Sequence, residues 1–438
     1  MSHLVFVETT GLGVQAIEYA KKRGDAVTYL FCPLYDFTAP PAARRQAQAL
    51  ADHVAQFEDP LDDEAVLAAL HASGAAVTEV DAVFSTLSYC AQPAANLARR
   101  IGARGTPAEA VAAARDKGRC REILRQRGIA NLDFQVVTSE AQALAAADRI
   151  GYPVIVKPVL GVGKAITSIT RGPDDVRSHF AAVAGDLAAL EEGMSVQLDE
   201  RYVVEELAQG DLYSVEVAAS GAVFVPLVCV GRKVGLDNPV LELGCTVPSG
   251  LREVQEAELG AYAVEVCRAL GLDLGVFHVE VMHTAGGFRL IEVNPRLTGG
   301  SLPDSINAVA DRDVFEILVD LFAGGSLPQH PLRLHAAASH SFLAAAEDSY
   351  APTHLPEQWF DAFMPRLHSG WAHLEAGERA PQMRVNFDSF GMIRVVDQDA
   401  ARAEAVCAEV KADIGATLGF RLAPENAAKR IGPSESTH

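Results

Sequence analysis

The chain has 438 residues, 49% of them hydrophobic and 21% charged, with 57 acids against 37 bases and a formal net charge of −20. That length suits about two to four globular domains, and the composition argues against large disordered tracts. An acidic balance with no clustered basic stripe argues against nucleic-acid binding, although one small polyphosphate needs only local lysines, amides and metal.

Along the first hundred residues, LVFV and AVTYLF read as strands with the helix TGLGVQAIEYAKKRG between them. A helix LDDEAVLAALHASG, a strand AVFSTL and a helix PAANLARRIG follow, an alternation that predicts a parallel α/β layer. In the helical TPAEAVAAARDKGRCREILRQRG, Thr106, Pro107 and Glu109 suit N-cap, N1 and N3, and Gly128 suits the stop. Ser139 with Gln142 predicts a second capping box, opening a helix that ends near Gly151. YPVIVKPV then reads as a strand, LGVGK as a glycine-containing loop and AITSIT as another strand.

From residue 202 the texture is antiparallel: YVVEEL, YSVEVAAS and AVFVPLVCV are strands, the last two joined at Ser220-Gly221. A helix from Glu253 to Leu270, stopped by Gly271, precedes the hairpin VFHVEVMHTAGGFRLIEVN. GGSLPQHP reads as a linker, and the last hundred residues as a small α+β module with a frayed tail, IGPSESTH. No stretch is apolar over a bilayer's thickness, and MSHLVFVETT lacks a basic region ahead of its apolar run. The seven cysteines (Cys32, Cys90, Cys120, Cys229, Cys245, Cys267, Cys407) contain no CxxC pair. No membrane segment, reduced thiols and a cytoplasmic location are expected.

The hairpin carries the chemistry. His278 and Glu280 share one face of FHVEV, and Glu292 and Asn294 share one face of FRLIEVN. With Ala285-Gly286-Gly287 as a three-residue loop, Glu280 falls opposite Glu292, and His278 opposite Asn294. Two carboxylates side by side on a half-buried sheet should repel, and a divalent cation removes that cost. Two carboxylates and an amide suit Mg²⁺, with Mn²⁺ as the alternative. The competing reading is a solvated sheet face. Asn294, Arg296, Gly299 and Gly300 within ten residues favour a site.

A glutamate strand, a hairpin and then E-x-N-x-R resembles the metal-binding signature of the ATP-grasp superfamily. Upstream motifs follow in the family's order: Lys117 in DKGRCREIL, Lys157 in YPVIVKP, the loop LGVGKAI, and VVEELAQGDLYSVEV. Within the superfamily, HVEVMHTAGGFRLIEVNPRLTGG is most similar to L-amino-acid ligases and related carboxylate–amine ligases. The segment 370–410 resembles their small terminal domain. The resemblance implies an α/β and α+β multidomain fold. Its parts would be a Rossmann-like N-terminal domain (1–105), an ATP-grasp lid with its linking helix (106–204), an antiparallel central subdomain with the metal site (205–330) and a C-terminal α+β module (331–438).

The resemblance also implies roles. Lys117 and Lys157 would meet ATP phosphates, with Gly161, Gly163 and Lys164 in the loop that covers them. Glu205, Glu206 and Leu207 would form the adenine hinge. Leu212 stands where the family has its ribose glutamate, leaving Asp211 or Glu216 for that role. Glu280, Glu292 and Asn294 would hold Mg²⁺, and Arg296 would stabilise the transferring phosphoryl group. The amides of Gly299 and Gly300 would take a substrate carboxylate or an oxyanion, with Arg232 and Glu242 recognising the amino acid. The implied activity is ATP-dependent amide formation between small-molecule carboxylate and amino-acid substrates through an acyl phosphate, by a homodimer. A biotin-type carboxylase, a nucleotide-biosynthesis ligase and a non-catalytic ATP-binding protein are the alternatives.

Two motifs mislead. Gly11-x-Gly13-x-x-Ala16 imitates a dinucleotide fingerprint, but no acid ends the next strand, YLFCP. GVGKA lacks the spacing and the final Ser/Thr of a P-loop.

Overall fold

The computed structural model describes residues 1–161, 164–385 and 388–429. Its N-terminal sheet is fully parallel, in the order His53–Gln56, Ala26–Phe31, His3–Val7, Ala82–Phe84. All five residues of HLVFV are buried because both faces are covered: Leu4 and Phe6 join one core, Val5 and Val7 another. The strand His53–Gln56 and the helix Pro41–Leu50 were not expected from the sequence. Both lie at the margin of the sheet, where only Ala47 among their residues is buried and the apolar signal is weak.

The predicted helix after residue 106 is two helices, Ala108–Arg115 and Lys117–Gln126. Asp116 divides them with an extended backbone, and its side chain caps the second by accepting from Arg119 N. Thr106 makes no cap; its hydroxyl donates to Leu274 O at 2.7 Å, tying the connection to the central sheet. Ser139 does cap its helix. Gln142 Oε1, however, accepts from Thr138 N at 2.8 Å, one residue outside the expected box.

The lid is a four-stranded antiparallel sheet in the order Phe134–Val137, Tyr202–Glu206, Val154–Pro158, Ser168–Thr170. A boundary drawn between 204 and 205 therefore runs through one of its strands. The lid also packs on the N-terminal domain, since Val154, Val156 and Tyr202 share a core with Val5, Leu30 and Tyr35.

A nine-stranded antiparallel sheet forms most of the rest, beside a two-stranded ribbon pairing Ser349–Tyr350 with Arg379–Ala380. Its path runs Gly287–Asn294, Leu274–Thr284, Gly210–Ser220, Val223–Gly235, Glu242–Val247, Ala337–Leu343, Gly391–Asp397, Ser369–Ala372, and Glu425–Ala427 pairs with Val223–Gly235. The C-terminal module is thus continuous with the central sheet across residue 330, through the pairing of Glu242–Val247 with Ala337–Leu343. Among the described residues no helix is long and apolar enough to cross a membrane.

Candidate active site

The hairpin places Glu280 opposite Glu292 and His278 opposite Asn294. It reaches that register by an unexpected route. The turn has two residues, Ala285 and Gly286, because Thr284 pairs with Gly287. One extra residue, Ile291, then interrupts the ladder and restores the offset. Left out of the pairing, the Ile291 carbonyl accepts from Arg121 Nη2 at 2.9 Å.

Lysines from two other segments reach these carboxylates. Lys117, at the start of its helix, lies 3.5 Å from Glu292 Oε1 and donates to Gly161 O at 3.1 Å. Lys164 reaches Glu280 Oε2 at 3.2 Å and Glu242 Oε1 at 2.9 Å, and Arg232 pairs with the other Glu242 oxygen. The hairpin carboxylates are therefore not the uncompensated, repelling pair that the sequence alone suggested. Burial pushes the Glu280 carboxyl up, but Lys164 and His278 outweigh it and hold it well below the usual carboxylate range. His278 lies between Glu216, 2.5 Å from Nδ1, and Glu280, 3.5 Å from Nε2. Burial lowers its pKa, yet these carboxylates raise it to about 9, so the ring is cationic at neutral pH.

Arg296 follows the second hairpin strand and turns back across it. Its Nε donates to Ser88 Oγ at 2.5 Å, its Nη1 to Leu297 O at 2.7 Å, and its Nη2 stands 3.5 Å from Asn294 Oδ1. Gly299 lies against the guanidinium, where an added Cβ would come within 3.7 Å of Nη1. Gly300 has φ +61, a left-handed conformation that glycine adopts without strain.

These residues fit a hard divalent cation. Glu280 and Glu292 face each other, among the described residues Asn294 Oδ1 meets protein donors only at 3.5 Å, and lysine ammoniums balance the carboxylates. Among the described residues no three His, Cys, Asp or Glu side chains make a metal cage. The protein offers part of a coordination shell, which suits Mg²⁺ with phosphates completing it.

Several expected residues stand elsewhere or act differently. Gly163 lies outside the described residues. Glu205 does not turn its side chain to the hinge: it is 1% exposed and pairs with Lys157 and with Arg121 Nε at 3.1 Å. Burial pushes its carboxyl up, but Arg121 and Lys157 outweigh that and hold it at about 2. Glu206 and Leu207 are half-buried at the strand's end, their amides donating to Asp133 O and Pro153 O. Glu216 is fully buried with both oxygens engaged, Oε1 by His278 and Oε2 by Thr298 N at 3.1 Å, which leaves nothing for a ribose. Asp211, the other residue expected there, is half-buried on the same strand.

Sequence reasoning missed Arg121, Ser88 and the part played by His278. Arg121 was detectable, because it lies four residues after Lys117 on the same helical face. Ser88 gave no signal; only the fold brings it across 208 positions to Arg296.

Residues 150–304 match the ATP-grasp domain family. The chain carries an ATP-grasp domain. Carnosine synthase 1 of Gallus gallus is 29% identical over 284 residues, 62% of this chain and 30% of that protein. Alanine–anticapsin ligase of Bacillus amyloliquefaciens is 24% identical over 267 residues, 56% of this chain and 54% of that one. The chain thus spans about a third to about half of the curated relatives it matches. An L-amino acid ligase of Bacillus licheniformis shares the fold at a TM-score of 0.74 and 16% identity, over 94% of this chain and 97% of that one. N5-carboxyaminoimidazole ribonucleotide synthetase of Thermotoga maritima does so at 0.65 and 19%, over 94% and 98%. The ATP-grasp domain accordingly spans most of the lid sheet and the hairpin with its paired glutamates, whereas Lys117 and Ser88 come from segments ahead of it.

Proposed function

We propose that the chain is an ATP-dependent carboxylate–amine ligase that joins a small carboxylate to an amino acid and releases ADP and phosphate. One observation carries the reading: Glu280 and Glu292 stand in register beside Arg296, with Lys117 and Lys164 directed at them. Similarity to proteins named carnosine synthase and alanine–anticapsin ligase supports amide formation with an amino acid as one substrate.

Transfer of the γ-phosphoryl group to a carboxylate demands little covalent work from the protein, which must neutralise charge and hold the reactants in line. In this reading Lys117, Lys157 and Lys164 release their carboxylates and take up phosphate oxygens. Glu280, Glu292 and Asn294 would hold Mg²⁺, which when bound supplies charge neutralisation at the phosphates. Arg296, fixed by Ser88, stabilises negative charge on the phosphoryl group and on the acyl phosphate. Glu242 and Arg232 border the acyl site, and the amides of Gly299 and Gly300 bind its oxygens. The same reading has Glu206, Leu207 and Gly161 lining the nucleotide, and the enzyme working as a cytoplasmic homodimer.

The test is a phosphate- and ADP-release screen of amino acids and small carboxylates in pairs, with ATP and Mg²⁺, the product identified by mass. Phosphate release requiring both substrates supports the ligase. Release that requires bicarbonate and one acceptor would make it a carboxylase instead.

A further inference from the structure

Polar and aromatic groups from four segments of the chain meet at the inner end of the helix Ala108–Arg115. Arg115 Nη2 donates to Gln197 Oε1 at 2.7 Å, and Gln197 Nε2 donates to the Tyr35 hydroxyl at 2.8 Å. The Tyr35 ring stacks on Tyr89 with centroids 5.2 Å apart and planes 8° from parallel. Tyr89 is 2% exposed, yet among the described residues its hydroxyl has no hydrogen-bond partner. A buried hydroxyl left so costs free energy that an arriving ligand can recover. The charges of both Arg115 and Arg296 reach it, and the preceding residue, Ser88, holds Arg296.

Arg115 differs from the other cations of the cleft. Lys157 and Arg121 have Glu205, Lys164 has Glu242 and Glu280, and Arg232 has Glu242. Among the described residues the ionisable groups acting on Arg115 are Tyr35, Cys90 and Tyr89, none of them a carboxylate, and burial pulls its guanidinium below the ordinary arginine value. A largely enclosed guanidinium without an internal anion is costly unless an anion comes from outside. Its planar fork, joined to Tyr89 through Gln197 and the Tyr35 ring, matches a carboxylate.

We propose that Arg115 and the Tyr89 hydroxyl bind the free carboxylate of the amino acid that supplies the amine. The inference rests on the ligase reading and gives it a substrate class. In an α-amino acid one carbon separates carboxylate from amine, so anchoring the first aims the second. Because Ser88 and Tyr89 are adjacent, the anchor lies one residue from the group that fixes Arg296. The amine nitrogen would bond to the acyl carbon, the carbon–oxygen bond to phosphate would break, and phosphate would leave with that electron pair. The surplus nitrogen proton passes to the departing phosphate or to solvent.

With a productive pair in hand, KM is measured for ATP, for the acid and for the amine donor, the last as amino acid and as carboxamide. Arg115→Gln should raise the amino-acid KM by about 30-fold, leave the ATP KM within about twofold, and abolish the preference for the amino acid over its carboxamide. Tyr89→Phe should act in the same direction by about three- to tenfold. Arg115→Lys, checked by thermal melting, should recover part of the loss. An unchanged amine-donor KM would make Arg115 a strut to Gln197 and overturn the proposal. A rise confined to the acid substrate would assign the carboxylate to the other reactant and overturn it equally. If no pair releases phosphate, the ligase reading fails by itself. Calorimetric titration of the twenty amino acids into wild type and Arg115→Gln then decides separately: binding lost in the variant keeps the carboxylate site, and no binding to wild type overturns it.

Discussion

Two buried carboxylate clusters lie within one cleft, and they are balanced in different ways. Glu205 is 1% exposed and held by Arg121 and Lys157, both themselves enclosed by protein. Glu292 on the hairpin is met by Lys117 at 3.5 Å and keeps 17% of its side chain open, and Glu280 leans on Lys164 from the glycine loop. A carboxylate that keeps an enclosed arginine, as Glu205 keeps Arg121 even when Lys157 turns to a phosphate, supports the fold. A carboxylate whose cations can move to a phosphate is available for chemistry. Buried ion pairs say little about net stability, but removing one partner of a fully enclosed pair is expensive.

The largest effect should come from the chemical side. Arg296→Lys keeps the charge but loses the fork that meets Ser88 and Leu297, so turnover should fall by about 10²–10³-fold while nucleotide binding survives. Steady-state kinetics beside ATP-analogue titration would measure both; equal losses in binding and turnover would remove the distinction. Next comes Glu205→Gln, which strands Arg121 and Lys157 together and should cost about 3–5 kcal/mol in urea unfolding. A cost under about 1 kcal/mol would mean that the two clusters do not differ in kind.

Acid and base should separate them further. Glu205 is held at about 2, so its contribution is complete above the ordinary carboxylate value near 4.5 and disappears as pH falls toward 2. His278, raised to about 9 from 6.5, contributes fully below pH 6.5, and that part is lost as pH rises through 9. The alkaline loss should be on the order of 3 kcal/mol, and absent from His278→Gln. Melting curves from pH 5 to 10 for the two proteins test this; parallel profiles would place the titration elsewhere. Smallest is Glu292→Gln without ligand, within about 1 kcal/mol of wild type, because Lys117 is a single, partly open partner. With Mg·ATP the variant should lose the rise in melting temperature that wild type gains.

The hairpin was legible because its information is local: a period-two pattern puts Glu280, Glu292 and Asn294 on one face whatever lies beyond. Even there the expected three-residue loop was wrong, and a bulge at Ile291 compensated. The inward turn of Glu205 was not legible, since its partner Arg121 is 84 residues away. Glu216 looked available for a ribose because a strand pattern gives a side chain's face but not which neighbours occupy its oxygens. The N-terminal β–α alternation was readable, whereas the marginal strand His53–Gln56 offered too little apolar contrast. The pairing of Glu242–Val247 with Ala337–Leu343 spans a stretch that reads as a linker, and no local pattern announces it.

That pairing bears on how the protein can be cut. A chain ended near residue 330 would look, by sequence, like a clean removal of a terminal domain. It would instead strip Ala337–Leu343 from the ladder and leave Glu242–Val247, buried along its whole length, with a row of open amides and carbonyls. Glu425–Ala427 would leave the neighbouring strand at the same stroke. Such an edge is a template for other chains, so the shortened protein should be recovered as aggregates rather than as a smaller enzyme.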